Sequence, residues 1–165
     1  MKIDSLEKLF VHELKDLYSA EKQILNHIDK VIDKTTNGDL RKALSDHRDL
    51  TRTHVDRLES IFSGLDYEPT GHKCKGMEGL LKEAEDILED AEDGATRDAG
   101  IISAAQRVEH YEMAGYGTAR TYAHVMGKDD IARTLQKTLD EEADADEKLT
   151  RLAEYVINPE ALASA

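Results

Sequence analysis

Apolar residues recur every three or four positions along most of the chain, and runs alternating at period two, the mark of a strand, are missing. Leu6, Phe10, Leu14, Leu17, Ile24, Ile28 and Val31 form one such stripe. It predicts a first helix over about residues 4–34, with Asp4 and Glu7 spaced as a capping box. The helix should stop at Thr35-Thr36-Asn37-Gly38, a turn signal. Asp39 is expected to cap a second helix over 39–63, whose stripe reads Leu40, Leu44, His47, Thr51, His54, Leu58, Ile61. A shorter amphipathic segment, 77–92, carries Leu80, Leu81, Ala84, Ile87 and Leu88. Two more long helices follow. One covers 97–126, through Ile101, Ala105, Val108, Glu112, Gly115, Ala119, Ala123 and Met126. The other covers 129–157, through Ile131, Leu135, Thr138, Glu142, Ala145, Leu149, Leu152 and Val156, and closes at Asn158-Pro159. Gly127 separates them at a C′ position, where a positive φ costs glycine little.

At 1.5 Å of rise per residue each long helix is about 40–45 Å long. The first and second, and the third and fourth, are joined by short connections, so each pair is an antiparallel hairpin. Between the hairpins lies a stretch of about thirty residues with its own short helix. A single long crossover of this kind distinguishes ferritin-like bundles from simple up-down ones. The expected architecture is all-α: one domain over 1–165, a ferritin-like four-helix bundle with an extra helix in its crossover.

Composition narrows the setting. With 2 Pro and 5% aromatic residues there is little material for a β architecture. No apolar run approaches the roughly 18 residues of a membrane span, and Met1-Lys2-Ile3-Asp4 lacks the apolar stretch of a leader. A lone Cys74 forms no internal disulfide, so a cytoplasmic, membrane-free setting is expected. The formal charge of −13 repels nucleic acid and anionic lipid while drawing cations to the surface.

At about 100° per residue, several charges fall where the core wants hydrocarbon. Glu21 lies at the edge of the first stripe and Glu13 inside it. His47 and His54 sit on the second seam with Thr51 between them. Glu112 is central on the third, with Glu109 on its flank, and Glu142 is central on the fourth, with Asp146 one turn on. Folding the hairpins about Asn37 and Gly127 sets Glu21 opposite His54, Glu112 opposite Glu142, and Glu109 opposite Asp146 or its neighbour. All meet at one depth, and no Lys or Arg is expected on the same stripes, since Arg107 and Lys148 project outward. Buried ionised carboxylates without partners cost several kcal/mol each. Bound multivalent cations are the simplest compensation, and oxygen-rich ligation with one or two imidazoles suits iron or manganese better than zinc or copper. His110 and His124 project outward, and His72-x-Cys74 is too little for a zinc site.

Four segments resemble the YciE/YciF stress-protein family, ferritin-like bundles for which ferroxidase activity has been put forward. They are Tyr18-Ser-Ala-Glu21-Lys-Gln23, Cys74-Lys-Gly-Met-Glu-Gly-Leu80, Ala104-Ala-Gln-Arg-Val-Glu109-His-Tyr-Glu112 through Tyr116-Gly-Thr118, and Thr138-Leu-Asp-Glu-Glu142. The resemblance covers nearly the whole chain, and its third-helix segment is the most specific. It implies a di-iron bundle, a homodimer and a stress-protection role. The wider ferritin-like pattern matches Glu21, His54, Glu109, Glu112 and Glu142. It departs at Thr51, where a Glu is expected, and at Ala145, where a His is expected, leaving Asp146 or His47 as replacements. The implied function is oxidation of two bound iron (or manganese) ions by O₂ or peroxide. The reading from another class is a metal-free dimeric bundle serving as an interaction protein.

Overall fold

A computed structural model of the chain describes residues 2–92 and 94–164, and every regular element among them is helical. Met1 and Ala165, the ends of the expected domain, lie outside the described residues. The helices are α1 (Leu6–Lys34), α2 (Gly38–Leu65), α3 (Lys75–Asp90), α4 (Ala95–Val125) and α5 (Asp129–Leu152). A π-helical turn, Ala153–Ile157, then leads into a short α6, Asn158–Ala163.

The helix starts differ from expectation, each for a local reason. Ser5 caps α1, its hydroxyl accepting from Lys8 N at 3.2 Å, while Asp4 pairs with Lys8 Nζ at 2.7 Å. Asn37 caps α2 through bonds from Asp39 N and Leu40 N, so Asp39 falls inside the helix. Cys74 caps α3, its Sγ accepting from Met77 N at 3.3 Å. Asn158-Pro159 does not end the chain's helical course. Pro159 occupies the first turn of α6, where its missing N–H would have had no partner anyway.

Gly127 behaves as its position predicts, with φ at 71°. Its N–H bonds His124 O at 2.9 Å and Lys128 N bonds Ala123 O at 2.8 Å, the paired bonds of a Schellman turn.

Cross-helix pairs fix the register. Asp29 meets Arg48, Glu21 meets His54 and Tyr18 meets Glu59, so α1 and α2 run antiparallel. In the second hairpin Gln106 meets Thr150 and Gly117 packs on Leu139. The contacts α1–α2, α2–α5, α5–α4 and α4–α1 close a four-helix ring, with α3 lying against α1 and α4. The start of α4 sits at the α1–α2 turn: the buried carboxylate of Asp98 accepts from Thr36 N at 2.9 Å and Asn37 N at 2.7 Å. Since α2 ends at the opposite end of the bundle, the crossover has to run its full length. That is why it is long, and α3 is the element that covers the distance.

The apolar core comes in two blocks. One contains Phe10, Leu14, Leu17, Leu58, Tyr116 and Leu135. The other contains Ile24, Ile28, Leu44, Met77, Ile101 and Val108. In each helix the residues between the blocks are polar. At the boundary α4 comes unusually near α1, because a Cβ at Gly115 would lie 2.7 Å from Leu17 Cδ2.

Asp98→Ala should lower stability by about 1–2 kcal/mol, because it removes the buried charged acceptor of two part-buried backbone donors at the α1–α2 turn. Denaturant unfolding monitored by circular dichroism measures the loss; a change below about 0.5 kcal/mol would mean the tie between turn and α4 carries little.

Candidate metal centre

The layer between the two apolar blocks receives one side chain from α1, two from α2, two from α4 and one from α5. Glu21, His54, Glu112 and Glu142 have 0% exposure, and Glu109 and His47 are buried at 3% and 8%. They form two groups able to hold metal ions, each with donor atoms within 4.8 Å of one another: His47 with Glu109, Glu112 and Glu142, and Glu21 with His54 and Glu142. Glu142 belongs to both. It is the one residue common to the two groups.

The distances are those of unsatisfied donors facing one another. His54 Nδ1 lies 2.8 Å from Glu142 Oε1 and 3.3 Å from Glu21 Oε1. His47 Nε2 lies 3.4 Å from Glu109 Oε1, and its Nδ1 is 3.9 Å from Glu142 Oε2. These are charge contacts rather than aligned hydrogen bonds. Both oxygens of Glu112 and of Glu142, both nitrogens of His47, His54 Nδ1, Glu109 Oε2 and Glu21 Oε2 have no hydrogen-bond partner among the described residues. Native interiors leave few buried polar atoms in that condition, and a set converging in this way could hold a metal ion. The four carboxylates of Glu21, Glu109, Glu112 and Glu142 and the two imidazoles make an oxygen-rich donor set.

Protons are the alternative compensation, and the electrostatics show where they go. Burial, followed by the charge of Glu142, raises Glu109 well above the usual carboxylate range. Burial and the charges of Glu21 and Glu142 do the same to Glu112. Burial opposes a charge on His54, but the carboxylates of Glu142 and Glu21 outweigh it and raise the pKa to about 10. Burial also pushes Glu142 upward, yet the approach of His54 and His47 leaves it below its ordinary value. Without metal, the layer is held by a protonated His54 beside an ionised Glu142, with Glu109 and Glu112 favouring their acid forms.

Groups outside the two donor sets orient them. His54 Nε2 is 3.0 Å from Glu141 Oε2, which leaves Nδ1 turned toward Glu21 and Glu142. Arg57 grips Glu141 with both terminal nitrogens, at 2.5 and 3.0 Å, and bonds Thr138 Oγ1 at 3.0 Å. Carboxylates in this position fix the tautomer and tilt of a ligating imidazole. Across the layer, the buried Tyr116 hydroxyl donates to Glu21 Oε1 at 2.5 Å. No Lys or Arg is expected on the inward stripes, yet Arg57, three residues after His54 on α2, reaches the edge of the layer through Glu141 and Thr138. Reading helix faces from Cα positions misses such reach, although the His54-x-x-Arg57 and Thr138-x-x-Glu141 spacings were visible signals.

Five of the six residues expected from sequence meet in the layer: Glu21, His54, Glu109, Glu112 and Glu142. Asp146 does not join either group. Its carboxylate is taken by Gln106 Nε2 at 3.1 Å and by the exposed His110 at 3.3 Å. His47 is drawn in instead. Thr51 is fully buried but spends its hydroxyl on His47 O at 3.0 Å, so it offers no donor inward. Glu13 stays half-buried on α1, with burial and then the charge of Asp16 raising its pKa. His72 and Cys74 meet Asp16, which also accepts from Tyr111, in a separate network that pins the start of α3.

The chain matches the family model described as "Domain of unknown function (DUF892)" over residues 5–162. Protein YciF of Escherichia coli (strain K12) is 40% identical over 162 residues, which are 98% of each chain. The crystal structure of the E. coli stress protein YciF aligns with a TM-score of 0.88 at 39% identity, covering 92% of this chain and 96% of that one. YcfI from Rhodopseudomonas palustris gives 0.87 at 40% identity, over 90% and 95% of the two chains. A Xanthomonas campestris pv. campestris protein shares the fold, at 18% identity and a TM-score of 0.76. By family match and by identity along almost its whole length, the chain belongs to the DUF892 family and is a relative of the stress protein YciF.

Proposed function

We propose that this protein binds two iron ions in the polar layer and oxidises them with O₂ or peroxide, acting as a ferroxidase-type stress-protection protein. The observation that carries this reading is the pair of donor groups sharing Glu142, all pointing inward with unpartnered atoms. Glu21 and His54 would hold one ion, His47, Glu109 and Glu112 the other, and Glu142 is common to both groups. Each ferrous ion supplies one electron, so two of them with two protons convert O₂ to hydrogen peroxide, or peroxide to water. Manganese accepts the same donors. The surrounding apolar blocks exclude bulk water, and Arg57, through Glu141, keeps the His54 ring in place for the ion. The charge of −13 favours capture of cations from solution. A dimer is the expected assembly.

Anaerobic titration with ferrous ion should give about two equivalents per chain, the capacity expected of a paired carboxylate site. Glu142→Ala should reduce this to one or none, because both positions lose a ligand, and aerobic ferrous oxidation should fall with it. Oxidation that is the same in wild type, Glu142→Ala and Glu112→Ala would defeat the proposal. A metal-free interaction protein would show no stoichiometric binding, and chelator would leave its melting temperature unmoved.

Glu141→Gln keeps the size of the side chain but weakens its hold on both His54 and Arg57. Metal affinity should drop about 10–100-fold with stoichiometry intact, the usual cost of losing an outer carboxylate. Competition against a metal-sensitive dye reads this out directly, and an unchanged affinity would remove Glu141 from the centre.

Stability of the metal-free protein should depend on pH. His54 is raised from 6.5 to about 10, so its contribution is complete below the lower value and is lost as pH climbs through the upper one. Glu109 and Glu112 are raised above 4.5, so their contribution also disappears as pH rises past that value. Glu142 is lowered, and its contribution changes only below 4.5. The metal-free melting temperature should therefore fall between about pH 6 and about pH 9, while the gain on adding Mn²⁺ grows over the same interval. A flat metal-free profile would contradict the burial of these acids.

A further inference from the structure

Two cavities reach the metal centre, and their linings differ in kind. One, of about 60 Å³, lies beneath the crossover helix α3, between α1, α2 and α4. Its wall is hydrocarbon from Ile24, Leu44, Leu81, Ile101 and Val108, and its inner end is formed by His47 and Glu109. Partly exposed His27, Val31 and Ala84 lie at its rim, where His27 turns its nitrogens to Gln23 O and Glu85. The other cavity, of about 100 Å³, opens between α2 and α5 among Asp46, Glu141, Asp144 and Lys148. The two share only Leu44, His47 and Glu109.

A water molecule in a cavity needs two to four polar partners, and cavities lined by Leu and Ile side chains stay dry while accepting apolar atoms such as xenon. Peroxide and hydrated cations forfeit their hydrogen bonds on entering such a space, whereas dioxygen has none to lose. The chamber is large enough for a diatomic molecule, since about 10–15 Å³ by the same measure suffices for a water. Its lining also includes His47 and Glu109, which belong to one of the two donor groups and carry atoms without hydrogen-bond partners. The cavity between α2 and α5 is the more polar of the two, since Asp46, Glu141 and Asp144 join Leu44, Leu50 and Leu149 in its lining.

We infer that the chamber beneath α3 is a binding site for dioxygen, separate from the polar cleft that admits metal ions and peroxide. This rests on the two-metal reading above and selects O₂ as the oxidant that α3 serves. It also gives the crossover helix a second role: α3 roofs the space in which the oxidant waits.

The test begins with wild-type crystals under xenon pressure, where density is expected in the chamber and not in the α2–α5 cleft. Ala104→Phe narrows the chamber from α4 at a residue that is not itself a metal donor, and Ala105→Leu is a milder narrowing that tolerates any strain of the first. Either should abolish the xenon peak and slow O₂-driven ferrous oxidation about tenfold by occupying the space. Peroxide-driven oxidation and ferrous stoichiometry should stay within about twofold, because the second cavity is untouched. Xenon absent from the wild-type chamber, or O₂ and peroxide rates that fall together, overturns this inference while leaving the metal centre standing. Absence of ferrous binding in the wild type sinks the metal reading and the oxidant role with it.

Discussion

An ionised carboxylate taken out of water needs a counter-charge, and the architecture of this bundle is organised around that requirement. Glu21, Glu109, Glu112 and Glu142 occupy one buried layer, and the guanidinium at its edge, Arg57, is engaged by Glu141 and Thr138. The apolar core accordingly stops on one side of the layer and resumes on the other. Gly115 brings α4 against Leu17 at this boundary, and Asp98 locks the start of α4 to the α1–α2 turn. Such ties fix the relative heights of α1, α2 and α4, and so the level at which their acids meet.

The layer is also supported from outside. Arg57 and Glu141 form a charge pair at its edge, and Glu141 in turn holds the far nitrogen of His54. A single rotatable imidazole becomes a directed donor by this chain of contacts. Tyr116 does the corresponding work for Glu21. The Cys74–Asp16–Tyr111 network serves a different end: it fastens the first turn of α3 to α1 and α4, which holds the crossover in place over the bundle.

Much of this was legible in the residues. The stripes located all five long or intermediate helices, and the length of the crossover implied its end-to-end course. Acids on apolar faces, aligned by hairpin register, indicated the layer. What was not legible depended on side-chain reach and on competition for partners. Asp146 has the right phase but is claimed by Gln106, whereas His47, two turns before His54, has no competing partner and swings inward. Arg57 was missed because seven atoms of side chain displace its charge from the level of its own Cα. Helix starts shifted by one or two residues because Ser5 and Asn37 cap α1 and α2 in place of Asp4 and Asp39, while Cys74 caps α3. A π-helical turn at Ala153–Ile157 has no evident sequence mark.

The division of donors between the two hairpins has one more consequence. The α1–α2 hairpin contributes Glu21 with His47 and His54, while the α4–α5 hairpin contributes only acids, Glu109, Glu112 and Glu142. Neither half is electrically content alone, and the acid-only half is repelled by another of its kind. The contacts of His54 and His47 with Glu142 therefore cross the seam between the hairpins, so the layer's imidazole–carboxylate pairs exist only once the two halves are docked.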